Sequence, residues 1–95
     1  MARMIVKAQD FALLPASLTY LRLAKCEVRG QTTHGGVRRL EIDLGRSSVA
    51  AIVGGLDRGS WPALEVLVMS GYLITAHITS ACDKRGIRLI DSNTP

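Results

Sequence analysis

The basic residues in the first half of the chain are the side chains whose type and spacing point most clearly to a ligand. Residues 1–47 hold eight Lys or Arg against four Asp or Glu, whereas residues 48–95 hold four of each kind. Such an excess neutralises phosphates of a nucleic-acid backbone or meets an acidic protein surface. The predicted binding site consists of five of these side chains: Arg22, Lys25, Arg29, Arg38 and Arg39.

The thiols and imidazoles do not have the spacing of a metal site. The four candidate ligands are separated by 7, 42 and 4 residues, unlike the short paired steps of zinc motifs. They are Cys26, His34, His77 and Cys82. We therefore expect two buried, reduced cysteines, two surface histidines and no bound metal or cofactor.

Catalytic signatures are equally weak in this sequence. No Ser or Cys lies in a nucleophile motif beside a histidine. Glu41 and Asp43 have the spacing of one solvated strand face, shared with Arg39, rather than that of an acid and base pair. The sequence therefore predicts a non-catalytic binding protein.

The segment that carries the first three basic residues is predicted to be a helix. Ser17 suits its start and Gly30 suits its end, and Leu18 and Leu21 lie at helical spacing. A helix would place the three basic side chains on one face. The alternation of Leu21 with Leu23 leaves a strand as the alternative.

Strands are predicted on both sides of this segment. Residues 4–8 form a short apolar run with β-branched side chains. The polar residues 31–36 predict an exposed loop, from which Arg38 and Arg39 would reach a ligand at the edge of a sheet. Residues 39–44 alternate charged with aliphatic side chains, which is typical of a strand buried on one face.

A helix is predicted after this strand. Ser47 or Ser48 is the expected cap, and Gly59 is the expected end. Between them the aliphatic residues recur at positions i, i+3, i+4 and i+7, at Val49, Ile52, Val53 and Leu56.

The last third of the chain allows two interpretations. In one, helices over 62–71 and 73–85 precede a strand at 87–90, which is the order of a winged helix-turn-helix. In the other, 64–69 and 72–80 are antiparallel strands, and 87–90 adds a third. Residue types favour the second, because residues 72–80 alternate and residues 66–82 contain no Glu, Lys, Gln or Arg.

The uncharged run at 66–82 does not have the composition of a membrane span. Only 11 of its 17 residues are apolar, whereas a spanning helix needs about 20 mostly apolar residues. No targeting peptide is visible at the start of the sequence. The predicted location is the cytoplasm.

These patterns combine into one expectation for the whole chain. Residues 1–91 are predicted to form a single α+β domain with a mostly antiparallel sheet and about two helices, followed by a flexible tail at 92–95. The alternative is a C-terminal half that resembles a winged helix-turn-helix. The domain is expected to self-associate through Leu67, Met69 and Ile74 and to bind nucleic-acid backbone through its basic N-terminal half. The alternative function is a small adaptor or inhibitor that binds an acidic protein.

Overall fold

The computed structural model describes residues 4–29 and 33–92 of the chain. All the strands in these ranges pair in parallel. The strands are β1 Met4–Lys7, β2 Tyr20–Ala24, β3 Cys26–Arg29, β4 Arg39–Asp43, β5 Val66–Met69 and β6 Arg88–Asp91. The helices are α1 Ala8–Ala12, α2 Arg46–Arg58 and α3 Ala76–Arg85, with a 3-10 turn at Gly71–Leu73. The protein is therefore α/β, and the predicted α+β fold with a mostly antiparallel sheet is wrong.

The chain winds as a short solenoid. β2, β4, β5 and β6 form one sheet in that order, and β1 pairs with β3 in a second sheet. The helices α2 and α3, which connect successive strands of the larger sheet, share a core with one and the same face of it. A chain that advances by one parallel strand per connection, with the connections on one side, is a coil of stacked turns.

A repeated leucine spacing aligns these turns. In three successive turns an aliphatic residue precedes the strand by two positions, and two more follow within the strand at spacings of three and two. This resembles the spacing of leucine-rich solenoid repeats. The three sets are Leu18, Leu21 and Leu23; Val37, Leu40 and Ile42; and Leu64, Leu67 and Met69. Strand pairing brings Leu21, Leu40, Leu67 and Leu89 opposite one another in the core.

The strand predicted at 39–44 and the helix predicted to follow it are confirmed. β4 has the buried and exposed alternation that the sequence predicts, and α2 buries Val49, Ile52 and Leu56. Gly59, at φ 75°, ends α2 in the left-handed region that glycine adopts without strain. The start differs, because Gly45 occupies the N-cap position. Ser48 instead accepts a hydrogen bond from the Val28 amide of the preceding turn, at 2.9 Å.

The predicted helix over 17–30 is wrong. Its described part forms β2 and β3, which are joined at Lys25 in the left-handed region at φ 55°. The step of three residues from Leu18 to Leu21 fits a helix. The step of two from Leu21 to Leu23 is the period of a strand, and both of these leucines lie opposite aliphatic residues of β4.

The last third combines the two interpretations. β5 forms where the second interpretation placed a strand, but α3 forms where the first placed a helix. Thr75 caps α3 by accepting a hydrogen bond from the Ile78 amide, and Gly86 ends it at φ 67°. The winged helix-turn-helix alternative is wrong because β5 replaces its first helix. Residues 93–95 of the predicted tail lie outside the described residues.

His34 joins three segments at the edge of the solenoid. Nε2 of its ring lies 2.9 Å from the Pro15 carbonyl oxygen, and Nδ1 accepts a hydrogen bond from the Gly36 amide. Its own amide donates to the Ser60 carbonyl at 3.1 Å. The prediction of a surface histidine in an exposed loop is therefore wrong for this residue, which is only 7% exposed. The first two residues of the predicted loop, 31 and 32, lie outside the described ranges.

Two further expectations concern the cysteines and the membrane. Cys26 and Cys82 are both buried and form no disulfide, as predicted. Within the described part of the chain, no helix has the length and apolar character that crossing a bilayer requires.

Candidate recognition surface

The larger sheet buries one face and exposes the other. Leu40, Ile42 and Leu67 point toward the helices and are at most 5% exposed. The residues between them in the strands point to the opposite face, where most side chains are exposed or half-buried. Parallel sheets usually have both faces covered. A parallel sheet with an accessible face therefore marks this side of the molecule as a candidate binding surface.

This open face consists of two rows of side chains held in register by the strands. The first row contains Tyr20, Arg39, Val66 and Arg88, and the second contains Arg22, Glu41, Val68 and Ile90. Val66, Val68 and Ile90 form an apolar patch on β5 and β6, in which Val66 and Ile90 are half-buried and Val68 is only 8% exposed. Arg39 and Arg88 flank Val66 from the two neighbouring strands, about 5 Å away on each side.

A polar network occupies the other half of the open face. Tyr20 donates its hydroxyl hydrogen to Glu41, and Arg39 pairs with the second Glu41 oxygen at 3.1 Å. The hydrogen bond from Tyr20, followed by the one from Arg39, holds the pKa of the Glu41 carboxyl below its usual range. The same hydrogen bond raises the pKa of the Tyr20 phenol, because ionisation would place a second negative charge beside Glu41. The network fixes the tyrosine ring and one arginine in place.

Two arginines of the open face lack such a partner. Among the described residues, neither Arg22 nor Arg88 has a carboxylate oxygen within 4.0 Å. Both are exposed. Their guanidinium groups are therefore available to a carboxylate or phosphate of a ligand.

A polar cavity of about 320 Å³ extends the open face at the carboxyl ends of the strands. Arg22 and Asp43 line it together with Ser70 and Ser92. The cavity offers hydrogen-bond donors and acceptors beside the apolar patch. Carboxyl ends of parallel strands are where open α/β sheets usually bind ligands.

The structure brings together only part of the predicted basic site. Arg22 and Arg39 lie on neighbouring strands of the open face. Lys25 occupies the turn between β2 and β3, and Arg29 ends β3, where it pairs with Glu27 at 2.9 Å. Arg38 is exposed just before β4. The five residues do not form one stripe, because the segment that was to align three of them is not a helix.

The predicted interface residues lie mostly inside the molecule. Leu67 and Met69 are each 1% exposed and contact the core beneath the helices. Ile74 is half-buried and packs against that core. None of the three contributes to the open face.

Comparison with protein-family models, with curated proteins and with solved structures found no match to this chain.

Sequence reasoning missed five members of the open face: Tyr20, Val66, Val68, Arg88 and Ile90. Each lies one residue before or one after a leucine that strand pairing brings into line, namely Leu21, Leu67 or Leu89. Aligning the three leucine sets would have placed the first three in two common rows.

A second cavity lies on the helical side of the molecule. It measures about 600 Å³ and lies between α2 and the segment from the 3-10 turn into α3. His77 in the first turn of α3 contacts Asp57 of α2 at its rim, with Nε2 2.9 Å from Oδ2. His77 was expected on the solvated face of a strand. It is solvated, but it lies on a helix.

Proposed function

We propose that this protein is a non-catalytic recognition module that binds a partner protein through the open face of its parallel sheet. The observation that carries this proposal is the accessible face itself, with two rows of in-register side chains on rigid strands. Side chains on strands are positioned more firmly than those on loops, so the face is organised before a partner arrives.

The composition of the open face favours protein over nucleic acid. Tyrosine and arginine around an apolar centre are the residues enriched in protein interfaces. Phosphate binding would instead use a continuous basic stripe. Here Arg39 is committed to Glu41, Arg29 to Glu27, and the apolar patch separates Arg88 from the other arginines.

The side chains of the open face that have no ion-pair partner among the described residues indicate the chemistry of the partner. Arg22 and Arg88 would bind carboxylates, and the half-buried Val66 and Ile90 would bind aliphatic or aromatic side chains. The preferred partner is therefore an extended or flat protein segment in which acidic residues alternate with apolar ones.

Selection from a random peptide library displayed on phage tests this preference. The immobilised protein should enrich peptides with Asp or Glu next to apolar residues. A synthetic peptide of the enriched sequence should then bind Arg88→Glu at least about tenfold more weakly than wild type, as measured by fluorescence anisotropy, because a like charge would face its carboxylate.

Arg29→Glu is the matched control, since Arg29 is an exposed arginine outside the open face. Its peptide affinity should stay within about twofold of wild type, as expected for a distant surface charge. Equal loss in both variants would remove the open face as the site. Failure to enrich any peptide, together with binding of labelled DNA or RNA oligonucleotides that weakens steeply with salt, would favour the nucleic-acid alternative.

A further inference from the structure

The outward side of α2 is unusual for a helix that borders solvent. Its central eight residues, Val49–Leu56, contain no polar side chain. Ala50 is nevertheless exposed, and Val53 and Gly54 are half-buried beside the 600 Å³ cavity. A helix that is apolar on all sides is normally covered on all sides. The Arg58 guanidinium lies over Gly54, whereas Ala50 is open to solvent and Val53 is only partly covered.

The two charges that border this apolar stretch lie at the unfavourable ends of the helix. Arg46 is the first residue of α2, next to the positive end of its dipole, and Asp57 lies in the last turn, next to the negative end. Both line the same groove as Ala50 and Val53. Among the described residues, Arg46 has no carboxylate oxygen within 4.0 Å. The two charges are about 16 Å apart along the helix, so they do not neutralise each other.

These residues form a stripe that is complementary to itself. Arg46, Ala50, Val53 and Asp57 follow one another at steps of four, three and four, which places them along one side of α2. The midpoint between Arg46 and Asp57 is also the midpoint between Ala50 and Val53. An antiparallel copy of the helix, centred there, would place each arginine opposite an aspartate and each alanine opposite a valine.

We propose that a second copy of this chain covers the groove, with the two α2 helices antiparallel about a twofold axis. Arg46 of each copy pairs with Asp57 of the other, and the small side chain of Ala50 lets the helices approach closely. Each charge then also lies next to the favourable end of the neighbouring helix dipole. His77 contacts only one oxygen of Asp57, which leaves the other for the arginine.

Sedimentation equilibrium over about 1 to 300 µM, a range that covers weak protein interfaces, tests the pairing. Wild type should approach twice the chain mass of 10.3 kDa. Arg46→Glu and Asp57→Arg should each raise the dissociation constant at least about tenfold, because each creates two like-charge contacts in a symmetric dimer.

Charge exchange distinguishes this surface from any other. Mixing Arg46→Glu with Asp57→Arg should produce a heterodimer, because Glu faces Arg at one contact and Asp faces Arg at the other. The double variant, with both charges reversed, should dimerise again. Arg88→Glu, on the opposite side of the molecule, should dimerise as wild type does, and circular dichroism should show that all these variants are folded.

A wild type that remains monomeric throughout the concentration range would overturn the proposal. So would a dimer whose dissociation constant neither Arg46→Glu nor Asp57→Arg changes. A mixture of these two folded variants that stays monomeric would also overturn it.

Discussion

The two faces of the four-stranded sheet are built from alternate residues of the same strands, yet they are subject to different constraints. The inward face is aliphatic in β2, β4 and β5, where Leu40 lies between Leu21 and Leu67 of the neighbouring strands. The outward face mixes tyrosine, arginine, glutamate, valine and isoleucine. Packing of the inward side chains determines where the strands lie, and this fixes the positions of the outward side chains. Alternate residues along each strand therefore serve folding and recognition.

The strongest test of this separation places a charge on each face. Ile42→Asp should abolish cooperative folding, because a buried carboxylate without a partner costs several kcal/mol, on the order of the total stability. Ile42 is 5% exposed. Arg22→Asp, on the outward face of the neighbouring strand, should remain folded. Urea unfolding followed by circular dichroism measures both, and a folded Ile42→Asp would show that the two faces are assigned the wrong way round.

Adjacent residues of β5 give a finer test without introducing charge. Leu67→Ala should lower the free energy of unfolding by about 2–5 kcal/mol, because it leaves a cavity at a site that is 1% exposed. Val66→Ala, one residue earlier and half-buried on the open face, should lower it by about 1 kcal/mol or less. The same denaturation measurement compares them, and equal losses would contradict the distinction between the faces.

The smallest expected effect is confined to the open face. Tyr20→Phe removes the hydrogen bond that contributes most to the low pKa of Glu41, so this pKa should rise toward its ordinary value. Arg39→Gln should raise it less. Carbon-13 NMR titration of the Glu41 carboxyl measures both changes.

The pH dependence of stability follows from the direction of that pKa. A carboxyl with a lowered pKa stabilises the folded state above its unfolded-state pKa, and this contribution disappears as the pH falls through the folded-state value. The stability difference between wild type and Tyr20→Phe should therefore be present at neutral pH and shrink in acid. A difference that grew as the pH fell would show that the hydrogen bond favours the protonated carboxyl.

The elements that could be predicted from the sequence are those with one clear period. β4 alternates along its whole length, and α2 has aliphatic residues at helical spacing between glycines. α3 was harder, because residues 72–80 alternate as in a strand, while the residues it buries, Ile78, Ala81 and Cys82, have helical spacing. Contacts with the rest of the core decide between two such patterns.

The binding surface was less predictable because it depends on register between strands far apart in the sequence. Arg39 lies opposite Val66, and Val66 lies opposite Arg88, although 27 and 22 positions separate them. The repeated leucine spacing gives the first of these offsets, but Gly86 and Asp91 replace two of its three aliphatic positions at β6, so that spacing does not give the second. The basic residues near 22 to 39 were visible as a cluster in sequence, but strand pairing retained only two of them on the open face.

The hydrogen bonds of His34 bear on how the molecule unfolds. In a solenoid each turn contacts only its neighbours, so the turns can in principle melt one after another, like a row of weakly coupled units. His34 bonds to Pro15 in the turn before it through its ring and to Ser60 in the turn after it through its backbone. Separating either neighbour breaks a hydrogen bond of the same residue. We therefore expect His34 to raise the cooperativity with which the turns that it joins unfold.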